Sequence, residues 1–512
     1  MKVNYDSWND LLSDIMSEGN VAQGKAIKSI VNTDKHLFIT GRGGVGKSVF
    51  IQRISSLLDD CAIVAPTGVA ALNVKGSTIH SFFGLDLDPY IPKINKGKFW
   101  NLGKGFRSGD LSDRIKKLKT LIIDEISMVR ADLLDKVADV LRSVNRNNKP
   151  FGGVRLIMFG DLSQLPPIVD NNVSSFFYSF YRTRYFFSSK ALMASGFEVH
   201  YFTKVYRQKD EDFINILDHI RFNKMTEEDK KKLESRVRRP EDGVKYINLV
   251  PTNNKANDIN MVNLMNINSE EKVFRAIVRG IPPKQAPCED ELHVKKGCQI
   301  MITKNIGTAV NGSIGTIVGF TEEIAAKMNM DFHNMSMKGI SVTDEMKEGY
   351  VRMKQADGII VELNGKEGKP IIVQRETWEN ISYSVNNRVL QSVSRGAITQ
   401  YPIKLGYAIS IHKSQGMSLD AAYIDVSGSF ESGQSYVAMS RIRSLDGLYM
   451  MKEINDHDII ADEEVIDFYD RINNGETDIK PVPIKQAMAD VKEESKKNAK
   501  RQEVIDFGEW GL

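Results

Sequence analysis

The sequence predicts an α/β fold in which parallel strands alternate with helices. Three apolar runs, at 37–39, 121–123 and 156–159, have the length and composition of buried strands, and each leads into a polar or glycine-rich loop. Helical patterns alternate with these runs, which is typical of a parallel sheet that carries its chemistry at the strand ends. At 512 residues the chain is too long for one hydrophobic core, so we expect three or four packed units.

Composition indicates an ordinary globular protein. Hydrophobic residues make up 41% and charged residues 26% of the chain, which excludes disordered and fibrous classes. The net charge of +3 is too small to indicate a nucleic-acid partner by itself. No apolar stretch is long enough to cross a bilayer, and the acidic beginning at 1–20 is unlike a targeting peptide. We therefore expect a cytoplasmic protein without membrane partners, and leave a nuclear or organellar location open.

The loop after the first apolar run is a candidate phosphate-binding loop. Residues 41–48 read GRGGVGKS and complete the pattern GxxxxGK[ST] between a strand and a helix. Glycines allow backbone N–H groups to surround phosphates, Lys47 would neutralise the β- and γ-phosphates, and Ser48 would bind Mg²⁺. The candidate nucleotide ligands are Gly41, Gly43, Gly44, Val45, Gly46, Lys47 and Ser48. This loop predicts that the chain binds ATP with Mg²⁺.

Acidic and amide side chains follow the other two apolar runs. Asp124 ends the second run and would hold the Mg²⁺ shell, as a Walker-B aspartate does. Glu125 is a candidate general base for the attacking water. Gln164, in the loop after the third run, could bond the γ-phosphate or that water. With Lys47, these three residues predict an ATPase.

Seven strings occur along the chain in a fixed order. They are APTGVAA (65–71), GSTIHSFFG (76–84), IIDEISM (122–128), FGDLSQLPP (159–167), VYRQKDEDF (205–213), KLGYAISIHKSQGMSLD (404–420) and GQSYVAMSRIRS (433–444). In this order they resemble the Pif-type (petite integration frequency) DNA helicases of superfamily 1B, relatives of the Dda and RecD helicases. The similarity covers about residues 20–452, and the last three strings are absent from P-loop proteins in general.

The resemblance implies two RecA-like P-loop motor domains with parallel sheets, each carrying an insertion. The implied boundaries are 1–83 and 120–200 for motor domain 1A, 84–119 for a wedge subdomain 1B, 201–300 and 401–480 for motor domain 2A, 301–400 for an SH3-like β-barrel 2B, and 481–512 for a charged tail. Alternating apolar and polar residues at 294–320 independently favour short antiparallel strands. The methionine-containing segment 321–350 fits no part of that barrel, and we expect it to be core or lid.

The resemblance also assigns residues around the nucleotide. Gln23 would read the adenine, and Arg207 and Arg441 would be arginine fingers that enter the γ-phosphate site from the second motor domain. Arginine is always charged and forks onto phosphate oxygens, so this role suits the residue type. Gln415 and Gly416 would lie near the cleft and couple it to the DNA.

The DNA contacts implied by the resemblance come from three of the strings. The residues are Pro66, Thr67, His80, Phe82, His412 and Lys413. Hydroxyls and backbone amides in these strings would contact phosphates, which position a strand without reading its sequence. We therefore expect DNA binding that is largely independent of sequence.

Segment 84–119 is rich in basic and aromatic residues. Between 93 and 119 it holds nine basic against two acidic residues, interleaved with Phe99, Trp100 and Phe106. Aromatic side chains among lysines suit stacking on bases, which favours a strand-separating wedge. A solvated charged loop is the alternative.

The end of the chain carries a short pattern of its own. Gln502, Ile505 and Phe507 match QxxIxF, which is similar to peptides that dock on bacterial sliding clamps. A sliding clamp or another replication protein is therefore a candidate partner, and a disordered or folded-back tail is the alternative.

Together these features predict a monomeric, ATP- and Mg²⁺-dependent DNA helicase, associated with single-stranded and forked DNA. Its 5′-to-3′ direction rests on the resemblance alone. One alternative is a DNA-stimulated ATPase that displaces proteins or remodels DNA without processive unwinding. Another is an ATP-gated DNA-binding module with little hydrolysis.

Overall fold

The structure is a computed structural model that describes most of the chain. The described residues are 7–86, 89–90, 109–208, 210–241, 246–283, 286, 288–307, 309–338, 340–364, 370–386, 389–427 and 429–482. Among these residues, none of the helices has both the length and the apolar character that a membrane crossing requires.

The helices are numbered in chain order. They are α1 (Trp8–Ser17), α2 (Val21–Asn32), α3 (Lys47–Ser55), α4 (Gly68–Asn73), α5 (Ile79–Phe83), α6 (Gly109–Lys117), α7 (Ala131–Asn145), α8 (Asn171–Tyr178), α9 (Lys190–Ser195), α10 (Glu211–Arg221), α11 (Glu227–Glu234), α12 (Asn253–Met265), α13 (Thr321–Met337), α14 (Asp344–Ala356), α15 (Gln434–Met439) and α16 (Glu463–Asn473).

The strands are numbered in the same way. They are β1 (Leu37–Thr40), β2 (Cys61–Ala65), β3 (Ser77–Thr78), β4 (Thr120–Ile123), β5 (Arg155–Gly160), β6 (Phe197–Tyr201), β7 (Ile247–Val250), β8 (Glu271–Arg275), β9 (Ile277–Gly280), β10 (Glu291–Lys295), β11 (Gln299–Ile302), β12 (Ile314–Phe320), β13 (Gly358–Leu363), β14 (Ile371–Gln374), β15 (Glu376–Asn386), β16 (Val389–Gln400), β17 (Ile403–Leu405), β18 (Ala408–Ser410), β19 (Ala422–Ile424), β20 (Leu448–Met450) and β21 (Asp478–Ile479).

The first sheet has seven strands in the order β21-β6-β1-β5-β4-β2-β3. All of its neighbouring pairs are parallel except β21 with β6. The three strands expected from the apolar runs are confirmed as β1, β4 and β5, which lie side by side. Phe38 faces one core, and Leu37 and Ile39 face the other, so the sheet is covered on both sides. The loops that follow these strands therefore meet at one edge of the sheet.

The second parallel sheet has four strands in the order β18-β7-β19-β20. Phe213 and Ile216 of α10 and Val437 of α15 pack in its core. Helix α10 follows the string VYRQ, and α15 lies within the string GQSYVAMSR and ends just before Arg441. This sheet therefore positions the two predicted arginine fingers.

An antiparallel region interrupts the second sheet. It contains a five-stranded sheet, β14-β13-β12-β11-β17, a two-stranded sheet, β10-β8, and a three-stranded sheet, β15-β16-β9. The region begins at β8, before the expected boundary at 301, because Leu292, Val294 and Ile300 pack in one core with Ile317 and Ile403. The SH3-like assignment of this region stays a prediction.

The methionine-containing segment forms α13 and α14. Met330 is 66% and Met337 77% exposed, so the expectation that this segment belongs to the core is wrong for these residues. Only Thr321 and Ala325 of α13 are buried. Helix α13 packs against α14 and contacts β12 and β13, while most of its residues are exposed.

The C-terminal described segment returns to the first sheet. β21 pairs with β6, and α16 packs Val465, Phe468 and Tyr469 into the core that contains Phe38. The expected assignment of residues up to 480 to the second motor domain is therefore wrong for 463–479. The apolar face of α16 does not show in the sequence which of the two cores it covers.

Candidate nucleotide-binding site

The phosphate loop connects β1 to α3. Gly46 ends the loop with a φ of +83°, and Lys47 is the first residue of α3. Gly44 has a φ of +87°, and a Cβ there would lie 2.5 Å from Cβ of Arg207, so only glycine fits. The Tyr206 N–H donates to the Gly44 carbonyl at 2.9 Å. The loop therefore folds against the segment that carries one predicted arginine finger.

The ammonium group of Lys47 lies within this loop. Its Nζ donates to the carbonyls of Gly41 at 2.6 Å and Arg42 at 3.0 Å. Burial lowers the pKa of Lys47, while the carboxylates of Asp161 and Glu125 act to raise it. The cation is therefore placed where the loop would surround a phosphate.

Asp124 and Glu125 lie at the carboxyl end of β4. Burial, and then the charge of Glu125, raise the pKa of Asp124 to about 8. Glu125 has a left-handed backbone with a φ of +50°. Its Oε2 is buried and has no hydrogen-bond partner among the described residues. A non-glycine residue in this conformation, with an unpaired carboxylate oxygen, is typical of a functional position.

The oxygen atoms at this edge of the sheet suit Mg²⁺. Ser48, exposed in the first turn of α3, offers a hydroxyl, and Asp124 offers a carboxylate; both are hard donors of the kind that Mg²⁺ prefers. No group of three or more His, Cys, Asp or Glu side chains able to hold a metal occurs within the described ranges. A Mg²⁺ ion here would therefore take phosphate oxygens or water as further ligands, as metals in nucleotide sites do.

Gln164 is buried beside an ion pair that the sequence did not indicate. Its Nε2 donates to Oδ2 of Asp161 at 3.3 Å. Oδ1 of Asp161 lies 2.9 Å from Nη2 of Arg221 in α10, and both side chains are fully buried. Burial acts to raise the pKa of Asp161, but Arg221 and Lys47 hold it below its usual value. The pair joins the loop after β5 to the second parallel sheet.

Two tyrosines connect this ion pair to the phosphate loop. The Tyr436 hydroxyl donates to Oδ2 of Asp161 at 3.1 Å and accepts from the Gly43 N–H at 3.2 Å. The Tyr469 hydroxyl, from α16, shares a 2.8 Å hydrogen bond with Oγ1 of Thr40. Residues from both parallel-sheet domains and from the C-terminal helix therefore meet behind the loop.

Arg207 and Arg441 both lie against the loop. A Cβ on Gly43 would be 3.4 Å from Nη1 of Arg207 and 3.4 Å from Nη2 of Arg441. Arg441 is 1% exposed, and its Nε donates to the Val437 carbonyl at 2.9 Å. Burial, and then the charge of Arg441, lower the pKa of Arg207 to about 9. The structure thus brings both predicted fingers to one glycine of the loop.

Gln23 lies on the other side of the loop, next to an aromatic ring. A Cβ on Gly46 would be 3.6 Å from Nε2 of Gln23 and 3.5 Å from Cε2 of Tyr206. Nδ2 of Asn20 donates to the Tyr206 hydroxyl at 2.9 Å. Tyr206 is 47% exposed, and Nζ of Lys204 lies over its ring, 5.5 Å from the centroid. The sequence signal for Tyr206 is an aromatic residue directly before a predicted finger.

Gln415 and Gly416 lie between the two domains. A Cβ on Gly416 would be 3.6 Å from Nδ2 of Asn73 in α4 of the first domain. Nε2 of Gln415 is buried and lacks a hydrogen-bond partner in the described part of the chain. Both residues lie where the two domains meet, and their role in coupling stays a prediction.

Most of the predicted DNA residues are half-buried or exposed. Thr67 caps α4, its Oγ1 accepting from the Ala70 N–H at 3.2 Å, and Pro66 precedes it. Burial lowers the pKa of both His80 and His412, which favours the neutral form of each imidazole. Lys413 is exposed beside His412.

An aromatic residue that the sequence did not single out lies beside His412. The His412 ring is nearly parallel to Phe430, with centroids 6.4 Å apart and planes inclined by 19°. Phe430 is 63% exposed, which leaves a ring face open to a nucleobase.

Phe82 differs from the other predicted DNA residues. It is 1% exposed and packs with Phe83 and Ile79 in the first core. The expectation that Phe82 contacts DNA is therefore wrong for this conformation, because α5 directs the ring inward while His80 stays near the surface. The wedge aromatics at 99, 100 and 106 and the tail pattern at 502–507 lie outside the described residues.

Known proteins are similar to this chain in sequence. A family model described as PIF1-like helicase matches residues 17–231. Pif1 of Bdellovibrio bacteriovorus is 30% identical over 451 residues, which cover 86% of this chain and 89% of the relative. The chain belongs to the Pif1 helicase family. PIF1 of Emericella nidulans is 29% identical over 88% of this chain.

Solved Pif1 structures share the fold. Bacteroides Pif1 in complex with ADP-AlF4 is 30% identical, with a TM-score of 0.75, over 89% of this chain and 97% of that chain. The same protein bound to ssDNA has a TM-score of 0.60. The expectation of an α/β fold with two RecA-like domains is confirmed. The chain spans only 62% to 66% of the length of the Pif1 relatives from Emericella nidulans, Psychrobacter and human.

Proposed function

We propose that this Pif1-family chain is an ATP-dependent DNA helicase that moves 5′ to 3′ on single-stranded DNA and unwinds forked duplexes as a monomer. One observation carries the proposal: Arg207 and Arg441, from the second domain side, lie against Gly43 in the phosphate loop of the first. A nucleotide in that loop would be in contact with both domains. Its binding and loss can therefore close and open the cleft.

Each residue of the cleft would have a separate role in ATP hydrolysis. Lys47 and the loop amides would hold the β- and γ-phosphates, and Glu125 would take the proton of the attacking water. Arg207 and Arg441 would stabilise the charge that develops on the γ-phosphate, an effect of about 10³–10⁵ in rate for arginine fingers. Mg²⁺, held by Ser48 and Asp124, would neutralise phosphate charge.

The ring of Tyr206 extends the proposed site to the base. Its ring lies beside Gln23 and the phosphate loop, and nearly half of the residue is exposed. We propose that Tyr206 stacks on the adenine while Gln23 bonds its edge. Stacking accepts any base, so nucleotide selectivity would come from Gln23.

The proposed DNA track crosses both domains. His80 lies on α5 in the first domain, and His412, Lys413 and Phe430 lie in the second. The long hairpin β15-β16 of the antiparallel region contacts α5 and α6 of the first domain, with Ile381 packed against its core. A DNA strand bound along this surface would therefore contact both domains. The distance between its contacts would change as the cleft closes. Solved structures of Bacteroides Pif1 bound to ssDNA and of Pif1 helicases at forked dsDNA support this assignment.

The two other activities considered have less support. A gated binding module would not need an unpaired, strained Glu125 beside two arginines. A translocase that does not unwind would share every residue of the cleft, and it differs only in the wedge at 84–119. The sliding-clamp partner and the cytoplasmic, DNA-associated location stay predictions.

An unwinding assay on tailed duplexes tests the proposal. We expect ATP-dependent strand separation of a duplex with a 5′ single-stranded tail and none for the same duplex with a 3′ tail. Activity confined to the 3′ tail would overturn the polarity. Strong ssDNA-stimulated ATP turnover without strand separation would favour the translocase.

A further inference from the structure

Gln208 is a buried amide directly after the first predicted finger. It is 4% exposed. Its Nε2 donates to the carbonyl of Ser440 at 3.1 Å and to the carbonyl of Ile442 at 2.9 Å. These two carbonyls flank Arg441, so one side-chain amide holds the backbone on both sides of the second finger.

The same carbonyl also binds the first finger. Nη1 of Arg207 donates to the Ser440 carbonyl at 3.2 Å. Residues 207–208 are thereby joined to residues 440–442 by three hydrogen bonds, all to backbone oxygens. The two fingers come from distant parts of the sequence, yet these bonds make them one structural unit.

The side chain that makes these hydrogen bonds is neutral, and this has an electrostatic consequence. Both guanidinium groups approach Gly43, and two like charges in a buried site repel each other. An acidic side chain in place of Gln208 would pair with a guanidinium and compete with a phosphate for it. A neutral amide can hold the two segments together and leave both charges available.

We propose that Gln208 is a positioning residue that holds Arg207 and Arg441 together in the geometry needed for the transition state of ATP hydrolysis. This inference rests on the proposed function. Because an arginine finger acts mainly on the transition state, Gln208 should matter little for binding ADP and much for binding a transition-state analogue. Misplacement of a catalytic group by about 1 Å can cost about 10²-fold.

Gln208→Met tests the proposal, since it removes the donor and nearly keeps the volume. The measurement is the Kd for ADP alone and for ADP with aluminium fluoride and Mg²⁺, each in the presence of ssDNA. We expect the aluminium fluoride complex to weaken by about 10–100-fold, with the ADP affinity nearly unchanged. An unchanged ratio of the two affinities would overturn the proposal, whether both affinities are kept or both fall by the same factor.

Gln400→Met is the matched control. Gln400 is also fully buried, and its Nε2 also donates to two carbonyls, those of Phe274 at 2.7 Å and Glu289 at 3.2 Å. It lies in the antiparallel region, away from the phosphate loop. We expect both variants to lower the melting temperature, but only Gln208→Met to change the affinity ratio. A matching change in Gln400→Met would reduce the effect to general destabilisation and overturn the proposal.

A double-mutant cycle separates this inference from the proposed function. In an Arg441→Ala background, Gln208→Met should cause a smaller further loss of ADP-aluminium fluoride affinity than it does in the wild type, because one of the two fingers that it positions is gone. Full additivity would contradict the proposal. If the wild type itself bound the analogue no more tightly than ADP and hydrolysed no ATP with ssDNA, the proposed function would fail before Gln208 is considered.

Discussion

The nucleotide cleft and the proposed DNA track are built differently. In the cleft, charged side chains are buried and bonded to one another, as in the fully buried pair Asp161–Arg221. On the track, Lys413 and Phe430 are exposed, and the Thr67 hydroxyl is engaged in a helix cap. Charge stabilisation requires fixed groups in a site that excludes water, whereas a strand that must slide requires contacts that are weak and renewable. Substitutions in the cleft should therefore change the rate of hydrolysis and the stability, whereas substitutions on the track should change the affinity for DNA.

The largest effect is expected for Glu125→Gln. The change keeps the shape of the side chain but removes its basicity, so ssDNA-stimulated ATP turnover should fall by about 10²–10⁴. ATP binding should persist. The exposed Glu453 provides a control, because Glu453→Gln removes the same charge from a side chain at the surface. Steady-state turnover close to wild type would contradict a base at position 125.

The next effect concerns the ion pair behind the loop. Arg221→Met leaves the buried carboxylate of Asp161 without its partner, which should cost about 3–5 kcal/mol of stability. Thermal unfolding measures the change, and Arg238→Met, on a half-exposed arginine, is the matched control. A melting temperature equal to that of the control would show that the pair does not stabilise the joint between domains.

The Asp161–Arg221 ion pair also predicts that the free energy of unfolding depends on pH. Because the folded-state pKa of Asp161 lies below its usual value, its stabilising contribution is present above the unfolded-state pKa, about 3.9, and is lost as pH falls through the folded-state pKa. In Arg221→Met the unpaired carboxylate should favour protonation. The difference in the free energy of unfolding between the wild type and Arg221→Met should therefore become smaller in acid. A difference that does not change with pH would contradict the assignment of the Asp161–Arg221 ion pair.

The smallest effect is expected on the track. Lys413→Ala should weaken ssDNA binding several-fold and lower the slope of log K against log salt by about 0.7, the value for one phosphate contact on a single strand. Fluorescence anisotropy over a salt series measures both, with the exposed Lys452→Ala as the control. An unchanged slope would place Lys413 outside the track.

The residues that the sequence located belong to local patterns. The phosphate loop and the Asp124–Glu125 pair follow buried strands directly, so their place at one edge of the sheet could be predicted from chain order alone. Asp161 and Arg221 could not be paired in this way, since nothing in either string indicates the other. Phe82 was misassigned because its string does not show which face of the short helix α5 points inward.

The C-terminal region shows the same limit at the level of domains. Helix α16 is amphipathic, and its apolar face could have covered either core. The pairing of β21 with β6, the packing of Phe468 in the core with Phe38 and the hydrogen bond between Tyr469 and Thr40 show that it returns to the first domain. Which core such a helix covers depends on long-range packing, and a short sequence pattern does not specify that packing.

The central claim is that guanidinium groups from one domain reach the phosphates held by the other. The most direct measurement is a crystal structure of this chain with ADP, aluminium fluoride and ssDNA. We predict that nitrogens of both Arg207 and Arg441 lie at hydrogen-bonding distance, about 2.7–3.2 Å, from the fluoride group or the β-phosphate. A structure in which both side chains point away from the nucleotide would contradict the account.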